Sequence, residues 1–525
     1  MPSGRPDHAD DHPELLDAED VGEEVPVNDE EGDVAMDSDT EELIIQNDSI
    51  AFFDGHADSV FAIAQHPVHP SLIATGGSEG DADDAPGKGY VLDTSAAPDR
   101  PVLPASYSGA GPTQSTELDA LFAIEGHTDS INALTFTLPR GDFLVSTGLD
   151  GRLRAYTVTL PAAAQSPSQP AAATISFLAE AQEVPEINWV APCPSPEYPN
   201  TVALGASDNS VWVYTIDPAA DPENPLQVVN TYWLHMGACT AGAWTPDGSL
   251  LATVAEDSSL YVWDVWGLGA ARGVVESNGQ TVVSLTAEDQ RFAIEGGLYS
   301  IAIDPLGSLV AVGGADGNIR IVSLPRLSAA ASTAAGGKSA ARGAKSGGKA
   351  ASSSQQVSAG GQILASLKTQ SESIETLSFV SPTGGQPNQS TTLLAAGSVD
   401  GSIVVYDATR SFAVRRNIAG AHEDHSVVQV EFVPGTWLLT SCGMDGVVRR
   451  WDLRGGAVRQ NPAAVAAAAG GAVPAPTLAD AGLVKEWKGH RGDGEGGGVL
   501  GFVQGSTGER VVTAGDDGVV LIFDA

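Results

Sequence analysis

Leu438-Leu439-Thr440-Ser441-Cys442-Gly443-Met444-Asp445-Gly446-Val447-Val448-Arg449-Arg450-Trp451 reads as an apolar strand, a tight turn carrying Asp and Gly, and a second strand that closes on Trp. Working outward, the same pattern turns at Ser78-Glu79-Gly80, Leu149-Asp150-Gly151, Ser207-Asp208-Asn209, Glu256-Asp257-Ser258, Ala315-Asp316-Gly317, Val399-Asp400-Gly401 and Asp516-Asp517-Gly518, eight times in all. Gly, Asn and Asp at such points supply chain reversal at low steric cost. A small β unit of this kind cannot bury its own apolar faces, so its copies must pack side by side. The repeats run over about residues 55–93, 126–158, 183–216, 233–265, 292–324, 367–408, 418–453 and 484–525.

The 525-residue chain carries 67 acidic and 26 basic side chains, a net charge of −41. Residues 1–42 hold 17 of the acids and one base, Arg5, so residues 43–525 keep 50 acids against 25 bases, a balance of −25. Such a field repels phosphate backbones and anionic membranes, so neither nucleic acid nor membrane is expected as a direct partner. A basic polypeptide is the natural partner class.

Residues 1–42 are poor in apolar groups and are expected to be a disordered acidic tail. Residues 43–525 form the repeat domain, with flexible insertions expected at 325–361, which carries Lys338, Arg342, Lys345 and Lys349, and at 457–482. Cys193, Cys239 and Cys442 are odd in number and far apart, which suits buried thiols and supports neither a disulfide framework nor a metal site. No basic patch leads into an apolar run at the start, and no apolar stretch approaches the ~20 residues of a membrane span. The expectation is a soluble intracellular monomer, in the cytoplasm and also in the nucleus.

The chain stops at Val519-Val520-Leu521-Ile522-Phe523, the third strand of the last unit, whereas residues 43–53 supply a strand before the first unit begins. Pairing the two would close the array and remove an exposed sheet edge.

The repeats resemble WD-repeat β-propellers, whose blades carry a His, a Ser or Thr, a turn Asp and a Trp in one hydrogen-bonded relay. The matching sets are His127, Ser146, Asp150 and Tyr156; His235, Thr253, Asp257 and Trp263; His422, Ser441, Asp445 and Trp451; and His490, Thr513, Asp517 and Phe523. Repeats three, five and six keep the turn Asp without the His, and are expected to be held by packing alone. The fold class is therefore all-β: an eight-bladed WD-repeat β-propeller closed by an N-terminal strand. A Ser/His/Asp set recurring in several blades signals a scaffold and not a nucleophilic triad. No complete Gly-x-x-x-x-Gly-Lys-Ser/Thr phosphate-binding segment and no zinc spacing appears, so no enzyme, cofactor or metal is expected.

The acidic leader, Phe53-Asp54-Gly55-His56-Ala57-Asp58-Ser59-Val60-Phe61, Ile73-Ala74-Thr75-Gly76-Gly77, Glu125-Gly126-His127-Thr128-Asp129-Ser130 and Ile187-Asn188-Trp189-Val190-Ala191-Pro192 are similar to the angio-associated migratory cell protein family. Fungal members of that family are ribosome-assembly proteins. The resemblance implies a dedicated chaperone that captures the basic N-terminus of the large-subunit ribosomal protein L-ten during its synthesis. Rival readings are a histone-binding WD-repeat protein and a scaffold or ubiquitin-ligase substrate receptor.

In such propellers the turns between second and third strands and the lead-ins to first strands open on one face. Alignment of the repeats places Asp58, Asp129 and Glu372 at one position, Glu183 one step later, and Phe61, Tyr299 and Glu375 on the first strand, beside Asn132. Glu79, Glu256 and Asp516 precede or occupy the turns, extended by Asp81, Asp83 and Asp84, with Glu186, Glu423 and Asp424 nearby. These carboxylates and aromatics are the expected basic-peptide site.

Overall fold

A computed structural model describes residues 47–80, 82, 85–98, 115–160, 173–327, 360–383, 391–454, 477–491 and 497–525. The expected tail, most of both expected insertions, and Asp81, Asp83 and Asp84 lie outside these residues. Eight antiparallel units follow one another, seven of four strands and one of five. They span residues 62–124, 131–182, 187–232, 239–285, 298–368, 374–418, 427–487 and 499–524. Each innermost strand packs against the innermost strand of the next blade, and the eighth packs against the first. The result is a closed propeller.

The middle strands explain the core. Leu72–Ser78, Phe143–Gly148, Thr201–Ala206 and Leu393–Ser398 are buried at every position. Strands covered on both faces read as continuous apolar and small-residue runs rather than alternating ones. Between the sixth and seventh blades, Ile403, Val405 and Ile418 meet Val427, Phe432, Leu439 and Trp451. Burying a large apolar side chain contributes about 1.5–3 kcal/mol, so the wedges between blades, not the turns, supply most of the stability.

The N-terminal strand closes the wheel. Ala51 pairs with Ile522, Phe52 with Leu521 and Phe53 with Val520, all antiparallel. A short strand, Thr116–Glu117, then pairs parallel to it as a fifth member of that sheet. Sequence patterning did not reveal this addition. At the edges of the expected insertions, Leu327 is buried in the fifth-blade core, and Leu478 and Ala481 pack beside Trp451.

Within the blades the polar relay takes several forms. In blade seven His422 Nδ1 lies 2.8 Å from Asp445 Oδ1 and Nε2 lies 2.8 Å from Ser441 Oγ, while Trp451 Nε1 donates to the same Oγ at 2.9 Å. Burial disfavours the Asp445 carboxylate, but the bonds from His422 and Arg449 outweigh it and hold the group at about 2. The connectivity is that of a nucleophilic triad, yet Ser441 is fully buried and already accepts from Trp451. It is a strut.

Blade eight repeats the bonds through His490, Asp517 and Thr513. In blade two His127 bridges Asp150 and Ser146, but Tyr156 accepts from Arg154 and leaves the serine. Blade four inserts Ser259: His235 Nδ1 lies 2.6 Å from Ser259 Oγ, which donates to Asp257. In blade one His56 reaches Thr75, and among the described residues its Nδ1 is buried without a hydrogen-bond partner.

The expectation that blades three, five and six rest on packing alone does not hold. In blade six Gln370 occupies the histidine's place and donates to Ser402, which donates to Asp400. In blade three Trp212 Nε1 donates to Ser210 Oγ, which donates to Asp208. In blade five the buried Arg320 caps the carbonyls of Arg291 and Ala293. A buried polar group left unsatisfied costs about 1–3 kcal/mol, so each degenerate blade substitutes another donor.

Candidate basic-peptide face

One backbone bond recurs in every blade and gathers the candidate residues. The N–H just before each turn Asp, or its equivalent, donates to the carbonyl of the lead-in to the inner strand: Ser78 to Ser59, Leu149 to Ser130, Ser207 to Glu186, Glu256 to Ala238, Ala315 to Gly297, Val399 to Ser373, Met444 to Ser426 and Asp516 to Gly498. Lead-ins and turns therefore share one end of the wheel. All twelve candidate side chains belong to these segments or to the first residues of the inner strands.

The inner strands add a second device. Register skips one residue after Ile131, Ile187, Cys239, Leu298, Ile374, Val427 and Val499. A β-bulge of this kind re-aims the extra side chain. The bulged residues are Asn132, Asn188, Thr240, Tyr299, Glu375, Val428 and Leu500, and Phe61 stands at the equivalent place in blade one. Three of them act as staples: Asn132 donates to Ile187 O at 2.5 Å, Asn188 to Cys239 O at 3.0 Å and Thr240 to Leu298 O at 2.7 Å. Phe61, at 42% exposed, and the exposed Glu375 face outward from this tier. Tyr299 is half-buried and spends its hydroxyl on Gly296 O.

The candidate acids fall into two groups. Glu183, Glu186, Glu256, Glu372, Glu375 and Asp424 are exposed. The others are half-buried and partly committed. Asp58 Oδ1 accepts from Ser59 N at 2.8 Å, Asp129 Oδ1 from Ser130 N at 2.6 Å, and Asp516 Oδ1 from Ser59 Oγ at 2.6 Å. Glu79 is 3.9 Å from Lys88 Nζ. The face thus presents six exposed acids and four half-buried ones, and among the bulged residues only Glu375 is acidic. Sequence alignment missed Val428 and Leu500, because they match no acidic or aromatic pattern.

Converging exposed carboxylates around a mixed aromatic and aliphatic hub attract cations and orient an extended chain. The fold and its repeats define a WD-repeat β-propeller. The WD domain, G-beta repeat model matches residues 119–157, 226–264 and 289–323. A crystal structure of Sqt1 from Chaetomium thermophilum, bound to the N-terminus of ribosomal protein L10, is 55% identical over 91% of this chain and 100% of that one, with a TM-score of 0.71. This chain belongs to the Sqt1 family. The ribosome assembly protein SQT1 of Saccharomyces cerevisiae is 28% identical over 45% of this chain, a match spanning 46% of that protein's length. The human angio-associated migratory cell protein is 24% identical over 78% of this chain and 71% of its own length.

Proposed function

We propose that this chain is a ribosome-assembly factor, a dedicated chaperone that holds the basic N-terminal segment of ribosomal protein L10 on its carboxylate-bearing face as that segment emerges from the ribosome. The observation that carries the reading is the gathering of exposed Glu183, Glu186, Glu256, Glu372, Glu375 and Asp424 at one end of the wheel. The L10-bound relative supports it. Each exposed ion pair contributes only about 0–1 kcal/mol, so charge selects the client and the hub residues Phe61, Val428 and Leu500 add apolar contact. The chain works by binding and not by catalysis, since its Ser/His/Asp sets serve as struts within blades. It acts in the cytoplasm, where nascent chains emerge, and accompanies its client into the nucleus.

The test is purification of the tagged chain with translating ribosomes, followed by sequencing of the associated messages. Enrichment of the L10 message, lost when puromycin releases nascent chains, is expected. Recovery of histones or ligase subunits instead would replace the proposal with one of its rivals.

A further inference from the structure

An aromatic shelf stands on the rim of the same face, between blades three and four, and no relay or staple uses it. Trp233 is 57% exposed and Met236 is 82% exposed. They flank the buried His235 in the connection from the outer strand Leu226–Tyr232 to the inner strand Cys239–Trp244. Leaving an indole this open forgoes burial of a large apolar area, and exposed Trp and Met together mark interaction surfaces. The shelf is also held in place. Trp212 meets Trp233 edge-on, with ring centroids 6.2 Å apart, and Trp212 is itself pinned through Ser210 to Asp208. Met236 N donates to Asp257 Oδ2 at 2.6 Å. A methyl group on the next residue, Gly237, would come within 3.3 Å of Glu256 Cβ. The exposed Glu256 therefore lies beside Gly237, at the Met236 end of this connection.

We infer that this shelf is an arginine subsite: Trp233 takes the guanidinium plane, Met236 lies along the methylene stem, and Glu256 pairs with the charge. Arginine is the occupant whose chemistry answers all three features. A purely apolar side chain would leave the carboxylate unmatched, and a lysine ammonium is a strongly hydrated point charge without a plane to stack. Cations over aromatic rings occur within the chain for both residue types: Arg154 lies 4.5 Å from the centre of the Phe177 ring and Lys485 lies 5.1 Å from that of Trp487. The inference rests on the proposed function and adds a residue preference: the site distinguishes arginine from lysine at equal charge.

The experiment is calorimetric titration of the full chain with a synthetic N-terminal segment of ribosomal protein L10, and with the same peptide in which every Arg is Lys. The wild-type chain should bind the lysine peptide about tenfold more weakly. Trp233→Leu should bind both peptides alike, at the weaker level, with an unchanged melting temperature. Equal affinity of the wild-type chain for the two peptides overturns the subsite and leaves the proposed function standing. Absence of binding to either peptide removes both. Trp233-dependent self-association in sedimentation, without any change in peptide preference, would assign the shelf to a second copy and overturn the inference.

Discussion

Ser59 Oγ donates a 2.6 Å hydrogen bond to Asp516 Oδ1 across 457 positions of sequence, joining the last blade to the first. Ser59 N in turn donates to Asp58 Oδ1 at 2.8 Å, so one candidate acid holds the seam of the wheel and another steadies the serine that bonds it. A hydrogen bond to a charged group contributes about 1.5–3 kcal/mol. Ser59→Ala should therefore lower thermal stability by an amount in that range while leaving every carboxylate of the face in place. Reversing Asp516 would confound seam and client, so the binding tests use Glu256 and Glu375. Chemical denaturation of Ser59→Ala beside wild type checks the assignment; identical midpoints would show the seam bond to be idle.

Closure by the N-terminal strand predicts a sharp boundary. Removing residues 1–46 should leave the melting temperature unchanged, whereas removing 1–54 strips the pairs Ala51–Ile522 and Phe53–Val520 and uncovers the edge of the last blade. The longer truncation should melt at lower temperature and aggregate. Light scattering during a thermal ramp distinguishes the two.

Two buried relay histidines, His56 and His235, weaken the fold in acid. Burial pushes His56 and His235 down to about 4. Between 6.5 and 4 the unfolded chain binds protons that the folded chain refuses, so stability present above pH 6.5 is lost as pH falls through that window. At pH 5 each group costs about 2 kcal/mol. Urea midpoints should fall as pH is lowered from 6.5 to 4.5, and less steeply in His56→Gln.

Glu431 has the opposite sign. Burial raises its carboxyl to about 7, against a smaller opposing contribution from Gln504. A raised carboxylate costs stability that is absent below pH 4.5 and grows as pH rises toward 7. Glu431→Gln should thus stabilise the chain at pH 8 by up to about 3 kcal/mol and do nothing at pH 4.5. A pH-independent effect would mean that the carboxyl ionises freely.

Much of the wheel was legible because its turns are chemically loud. Asp445-Gly446 and its counterparts cannot be mistaken for strand, and Val520-Leu521-Ile522 without a following strand pointed to residues 43–53. The relay was legible only where His, Ser or Thr, and Asp all survive. Gln370 replaces histidine by offering a donor at the same place, and Arg320 does so from another strand, so no motif announces either. The face was legible as a ring of lead-in acids, but not the division between exposed Glu256 and the committed Asp516. That division depends on Ser59, which the chain brings near only when the wheel closes. Trp233 and Met236 sit in a connection whose exposure no repeat pattern encodes.

In the proposed function, exposed carboxylates on one face hold a cationic segment of L10. It is tested most directly by titrating the L10 N-terminal peptide into the wild-type chain and into the double variant Glu256→Lys, Glu375→Lys at two salt concentrations. Wild-type binding should weaken with salt, the variant should bind at least about tenfold more weakly, and the two proteins should melt at the same temperature. Undiminished, salt-insensitive binding by the double variant would contradict it.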